Sequence, residues 1–391
     1  MTTTAPERAA ERIVAIDLLR GVVMVLMAID HVRVYAGVPA GGPDPGVFLT
    51  RWVTHFVAPW FAFLAGTGAF LHGIKLGDVR ALARYLWTRG LLLVALELTV
   101  IRTFWTFNFD FAHYNLAGVI WMLGWCMIFL SFLVRFTTRT IGIVGLTVVL
   151  GQQLAGLIAR LLPGPLGSIL YTGGWVSIGD GGLGVLYVWV PWIGVMALGY
   201  AFGSLFLLDS EQRSRRCLNY GLAATGFWLA LGTAAALTMS GGGGGEGGEG
   251  GAGMPFWMRL LNQQKYPASQ LFLGMTLGPM LLLVPLAERA GGRRVWQWLT
   301  TFGRVPMFYY LLHIPLIHVA AMLVSVAREG SVNPWLFGNH PYWPPEVPPG
   351  YQWSLALLWF AWLLCVVALY LPSAWYARLR ATGKYPWLSY L

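Results

Sequence analysis

Ten apolar stretches, each close to 20 residues long, recur along the chain: 13–36, 52–73, 85–106, 112–134, 140–162, 183–207, 217–239, 267–287, 304–326 and 353–376. A helix rises about 1.5 Å per residue, so about 20 apolar residues cross the roughly 30 Å hydrocarbon core of a bilayer. The pattern predicts an all-α fold: a polytopic integral membrane helix bundle of about ten transmembrane helices. The third, eighth and ninth stretches carry polar residues and follow the pattern least well. The expected organisation is a tail at 1–12, a membrane domain at 13–376 and a second tail at 377–391. Two outer loops stand out. Residues 240–254 hold a run of glycines that reads as a flexible linker. Residues 327–352 mix prolines and aromatics and read as an ordered cap. The basic, amphipathic segment 76–90 would lie along the inner interface.

Composition agrees with this class: 57% of residues are hydrophobic and only 11% charged. The net charge of +10 changes the picture only through its distribution. With the N-terminus cytoplasmic, the inner segments hold 18 of the 26 basic residues and the outer segments seven, with Arg20 inside the first helix. The positive-inside rule then places both termini in the cytoplasm. The basic runs read as lipid-headgroup anchors, and no nucleic-acid partner is expected. A cleavable signal peptide is rejected, because the first run is too long and is interrupted by Asp17 and Arg20. Cys126, Cys217 and Cys365 lack metal-type spacing, and no His-Glu-x-x-His or Cys-x-x-Cys motif occurs. No metal is expected. Haem would need facing axial histidines deep in the bundle, whereas the histidines here crowd one surface.

Candidate chemistry begins in the first helix. It carries Asp17, Arg20, Asp30, His31 and Arg33, and charges near hydrocarbon are costly unless paired or facing a wet cavity. Arg20 and His31 are ten residues apart, almost three turns, so they share a face roughly 16 Å apart. A cation at one end and an imidazole at the other suit a long ligand with an anionic end and a reactive end. Sorted by depth, Asp30, His31, His55, Asp110, His113, Lys265 and His318 fall near the outer surface. Asp17, Arg20, Lys75, Arg89 and Arg304 fall near the inner one, and Glu97 and His313 lie between.

Histidine is the natural general base near neutral pH. Asp30 points about 100° away from His31 around the helix, so its partner is as readily His55 or Arg33. Plainer readings stand beside these. Asp17 and Arg20 form an ion pair at the helix start, and His31 and His55 hydrogen-bond interfacial carbonyls. Glu97 neutralises Arg102 or a helix neighbour. His313 and His318, five apart, face different ways, and Gly66-Thr67-Gly68 is a close helix contact.

Arg12-Ile-Val-Ala-Ile-Asp17-Leu-Leu-Arg20-Gly21, then Asp30-His31, then Trp52-Val-Thr-His55-Phe-Val-Ala-Pro59-Trp60-Phe61, resembles the catalytic domain of heparan-α-glucosaminide N-acetyltransferase and its bacterial relatives. The Arg20-x10-His31 spacing is similar to a signature of the wider transmembrane acyltransferase superfamily. Lys265-Tyr266-Pro267-Ala-Ser269, Phe302-Gly303-Arg304-Val-Pro306, His313-Ile-Pro315-Leu-Ile-His318 and Trp387-Leu-Ser-Tyr390-Leu391 resemble further blocks of the bacterial branch.

The resemblance implies an acetyl-CoA or other acyl-CoA donor on the cytoplasmic side of a bacterial inner membrane. The acceptor it implies is an extracytoplasmic glycan with a sugar amine or hydroxyl. Arg20, Lys75 and Arg304 would hold the CoA phosphates. His31 would be the base, with His55 or Asp30 orienting it. Asp110, His113, Lys265 and His318 would meet the acceptor. One departure matters: residues 37–50 lack the outer-loop histidine of the human-type enzyme, which leaves His31 or His55 as the base. A homodimer is left open. The competing reading is a multi-pass transporter or flippase for a polar or anionic molecule, with the same charges along a permeation path.

Overall fold

The computed structural model describes residues 14–238, 254–290, 293–385 and Leu388. The glycine run, the N-terminal tail and the last residues of the chain, apart from Leu388, lie outside them. The fold is mostly helical. Helix α1 (Val14–Tyr35) is followed by α2 (Pro45–Trp52), α3 (Val57–Leu76), α4 (Val79–Leu96) and the short α5 (Arg102–Thr106). Strand β1 (Tyr114–Ala117) leads into α6 (Val119–Leu133), α7 (Thr138–Leu150), α8 (Gln152–Leu161) and the single turn α9 (Gly164–Gly167). Strands β2 (Gly174–Ile178) and β3 (Gly181–Val185) precede α10 (Trp192–Gly203) and α11 (Ser210–Thr238). The chain ends with α12 (Phe256–Leu261), α13 (Gln270–Ala290), α14 (Gln297–Arg304), α15 (Pro306–Glu329) and α16 (Leu355–Ala381).

Among the described residues, five helical units are long and apolar enough to cross a bilayer: Pro45–Leu76, α11, α13, α15 and α16. A sixth forms if α7 and α8, bent by 65° at their junction, count as one span. Helix α1 has 22 residues, about 33 Å, but carries four charges. The shortfall from about ten comes from stretches that are charged, short or broken.

Two apolar stretches hold strands that the all-α expectation did not foresee. Residues 114–117 and 181–185 pair in parallel, and β2 pairs antiparallel with β3, giving the order β1-β3-β2. Hydropathy alone does not separate a buried strand from a helix. Gly181, Gly182 and Gly184 are poor helix formers that let neighbouring backbones close in.

The basic segment 76–90 also differs from expectation. Gly77 ends α3 in a left-handed conformation (φ 64°), and the Asp78 side chain accepts the Arg80 N–H at 2.8 Å to start α4. Residues 79–90 are therefore the first two-thirds of the 18-residue helix α4, continuous with its apolar end, rather than a separate helix. This tight turn brings Lys75 on α3 to the same cavity as Tyr85 and Arg89 on α4.

Helix α1 runs through the middle, against α3, α13, α14, α15 and α16. Small residues let its neighbours close in. A Cβ on Gly21 would collide with the Leu299 carbonyl, and one on Gly303 with the Asp17 carbonyl, so α14 lies directly on the start of α1. A Cβ on Gly66 would meet the Met196 carbonyl, and Thr67 donates to the Gly199 carbonyl at 2.9 Å. The Gly66-Thr67-Gly68 segment is a packing contact with α10.

Candidate functional site

A cavity of about 350 Å³ lies between α1, α3, α4, α6 and the α14–α15 junction. Arg20, Lys75 and Arg304 line it together, with Arg89, Arg380, His72 and Asp17. Its remaining wall is apolar, including Met24, Phe61, Leu93, Leu123 and Met127. Each cation has a local reason to be there. Arg20 donates to the Leu64 carbonyl at 2.7 Å, in space left by Gly68, where a Cβ would press on the guanidinium. Arg89 donates to the Tyr85 hydroxyl at 2.7 Å, and His72 packs on the same ring. Arg304, set down by α14, has its Nε 3.9 Å from the Asp17 carboxylate, and its carbonyl accepts from Arg380 at 3.0 Å. Five cations and one carboxylate on an apolar wall suit a polyanion with an apolar arm. Arg380, in the last turn of α16, could be found only once the fold brought it back to α14.

Tyr310 lines the cavity, and two histidines lie close to its ring. The Tyr310 ring is 6.4 Å from that of His31 and 5.0 Å from that of His313. His31 Nδ1 lies 2.6 Å from His313 Nε2, with the rings 23° from parallel and their centres 4.7 Å apart. His313 Nδ1 lies 2.6 Å from the Tyr310 carbonyl oxygen, and Trp105 packs edge-on to His31. A facing histidine pair was not expected, and it involves the histidine assigned no role. Metal–imidazole bonds are about 2.0 Å long, so two nitrogens 2.6 Å apart leave no room for a metal between them.

Asp30 does not orient His31. Its carboxylate takes Arg33 at 2.9 Å and Arg51 at 3.2 Å. Of its two expected partners, Arg33 meets it and His55 does not. His55 is buried edge-on to Phe272, and among the described residues its Nδ1 has no hydrogen-bond partner. Lys265 is buried too, its ammonium 5.0 Å and 5.9 Å from the ring centres of Tyr266 and Tyr187. It lies within electrostatic reach of Asp30, His31 and His55.

The other expected acceptor residues sit elsewhere. His318 is held among Tyr35, Phe107 and the Phe104 carbonyl. Asp110 and His113 pair with each other at 2.7 Å in an exposed loop, and hydrogen bonds from His113 hold the Asp110 carboxyl below its usual range. Glu97 does not meet Arg102: it accepts the Ile120 and Trp121 N–H groups at 2.7 and 3.0 Å, capping α6. Arg102 instead donates to the Tyr114, Asn108 and Asp110 carbonyls.

Among the described residues no group of three or more His, Cys, Asp or Glu side chains is placed to hold a metal. Of the curated proteins compared, none matches the chain. A family model described as heparan-alpha-glucosaminide N-acetyltransferase, catalytic, matches residues 12–238. That span covers α1 to α11, with Arg20, His31, His55, Lys75 and Arg89. It exceeds half of the chain, and its apolar helices fit a membrane protein: the chain belongs to the heparan-alpha-glucosaminide N-acetyltransferase catalytic family of membrane acyltransferases.

Proposed function

We propose that the protein takes an acetyl group from cytoplasmic acetyl-CoA and transfers it, across the membrane, to a sugar amine or hydroxyl on the outer side. The observation that carries this reading is the cation-lined cavity whose wall includes Tyr310, a ring 6.4 Å from that of His31 and 5.0 Å from that of His313. Arg20, Lys75, Arg89, Arg304 and Arg380 would hold the phosphates of the donor, and the apolar wall its pantetheine arm. The thioester would then sit beside Tyr310.

His31 is the base. Its Nε2 takes the proton from the acceptor amine or hydroxyl as that atom attacks the thioester carbonyl carbon. The C–S bond breaks, the thiolate leaves, and His31 returns the proton to sulfur. Lys265, Arg51 and His55 lie towards the other end of α1 and would receive the acceptor. With about ten crossings in the inner membrane of a bacterium, the charge split of 18 inner to seven outer basic residues supports both termini in the cytoplasm.

Calorimetry of acetyl-CoA with the purified protein tests the donor site. A hydrogen bond to a charged partner contributes about 1.5–3 kcal/mol, so Arg20→Ala should weaken binding about tenfold or more. His31→Ala should keep that affinity and lose turnover by about 10²-fold or more. A folded protein that binds no acetyl-CoA at millimolar concentration would replace this reading with the transporter.

A further inference from the structure

His313 makes two contacts that together decide which nitrogen of His31 is basic. Its Nδ1 lies 2.6 Å from the Tyr310 carbonyl oxygen and 3.3 Å from that of Tyr309. A carbonyl only accepts, so Nδ1 carries the hydrogen. In the neutral ring Nε2 then holds the lone pair, and the 2.6 Å contact to His31 needs a hydrogen on His31 Nδ1. His31 is thereby left with its lone pair on Nε2. An unconstrained imidazole favours the opposite arrangement, with hydrogen on Nε2.

Burial follows the same order: His313 is fully buried and His31 is partly exposed. Among the described residues His31 Nε2 has no hydrogen-bond partner. Trp105, edge-on at 4.7 Å, steadies the ring plane.

We infer that His313 is the positioning residue of the reaction: through its own Nδ1–H contact to Tyr310 it fixes His31 as the Nδ1–H tautomer and presents His31 Nε2 as the base. The inference rests on the proposed acyl transfer for its consequence, but its tautomer stands without it. When His31 takes the proton from the acceptor, Nδ1–H continues to donate to His313 Nε2. That hydrogen bond becomes charge-assisted and stronger, which favours the imidazolium at the moment it forms. A neutral histidine thus does what a carboxylate does in a serine-protease triad.

Two measurements separate the tautomer from the reaction. Ring nitrogen shifts of the ¹⁵N-histidine-labelled protein in nanodiscs, with His31 assigned by difference against His31→Gln, should show lone-pair character at Nε2. His313→Leu should move the hydrogen to Nε2. Lone-pair character at Nδ1 of His31 in the wild type overturns the inference, whether or not acetyl transfer is seen.

In turnover, His313→Leu should lower kcat by about 10²–10⁴-fold and leave the KM for acetyl-CoA within about twofold. His313→Gln, whose amide oxygen accepts where the ring Nε2 did, should recover at least about tenfold of that loss. A His313→Leu kcat within about threefold of wild type overturns the positioning role, as does a Gln variant no better than Leu. An inactive wild type with the expected shifts would count against the proposed reaction alone.

Discussion

Lys265 buries an ammonium against two aromatic faces, and among the described residues no carboxylate or carbonyl lies in hydrogen-bond reach of it. A cation–π contact contributes about 0.5–2 kcal/mol, while the effective penalty of burying an ion is several kcal/mol. The Asp30 carboxylate, within electrostatic reach, offsets part of the difference, and an acidic group on the arriving acceptor would offset more. Lys265→Met keeps the length and apolar stem and removes the charge. With it, kcat/KM for an amino sugar bearing a phosphate or carboxylate should fall about tenfold, and that for neutral glucosamine should change less than twofold. Equal losses on both acceptors would mean that Lys265 only packs. Asp30, close by, acts differently. By drawing Arg33 and Arg51 to one carboxylate, it ties α1 to α2 beside His55.

Among the elements, α14 is the one that brings Arg304 to the cavity. It is eight residues long, too short to be stable by itself, and it stays on α1 because Gly21 and Gly303 let the two backbones touch. That contact places Arg304 beside Asp17. Gly303→Ala puts a methyl into the Asp17 carbonyl, so α14 must lift. Overpacking of this kind costs about 1–3 kcal/mol, read as a lower melting temperature in detergent. Acetyl-CoA affinity should drop with it as Arg304 leaves the cavity. Gln297→Ala, at the exposed start of the same helix, should change neither quantity. Normal melting and binding in Gly303→Ala would show that α14 tolerates a wider separation and that Arg304 finds the cavity regardless.

For the whole molecule, the two ends of α1 are chemically different places. One carries a cavity with five cations and the other a cluster of Asp30, Arg33, Arg51, His55 and Lys265, with His31 next to Asp30 at that same end. A transfer reaction across a membrane needs that separation, because donor and acceptor never share a compartment. The proposed orientation puts the end of α16 in the cytoplasm. Ala381→Cys, next to Arg380, should react with an impermeant maleimide only after the membrane is opened. Cys126, Cys217 and Cys365 are buried and give little background. Labelling from outside intact cells would invert the topology and, with it, the assignment of donor and acceptor ends.

What the sequence alone determined follows from one-dimensional quantities. Apolar run lengths announce a helical membrane protein, the uneven basic residues are the ground for the proposed orientation, and helical periodicity puts Arg20 and His31 on one face. Depth along each span was enough to group Arg20, Lys75 and Arg304, because residues at one membrane level are candidates for one cavity. The tertiary structure decided everything that depends on how helices are rotated and spaced. His313 became the partner of His31 across 282 residues, Arg51 joined Arg33 at Asp30, and Glu97 capped α6 in place of meeting Arg102. The strands at 114–117 and 181–185 are of the same kind: their hydrogen bonds run between segments, and hydropathy records only that both are apolar. A side-chain hydrogen bond forms over about 3 Å, and no pattern along one chain specifies the packing of small residues that brings two helices to that distance.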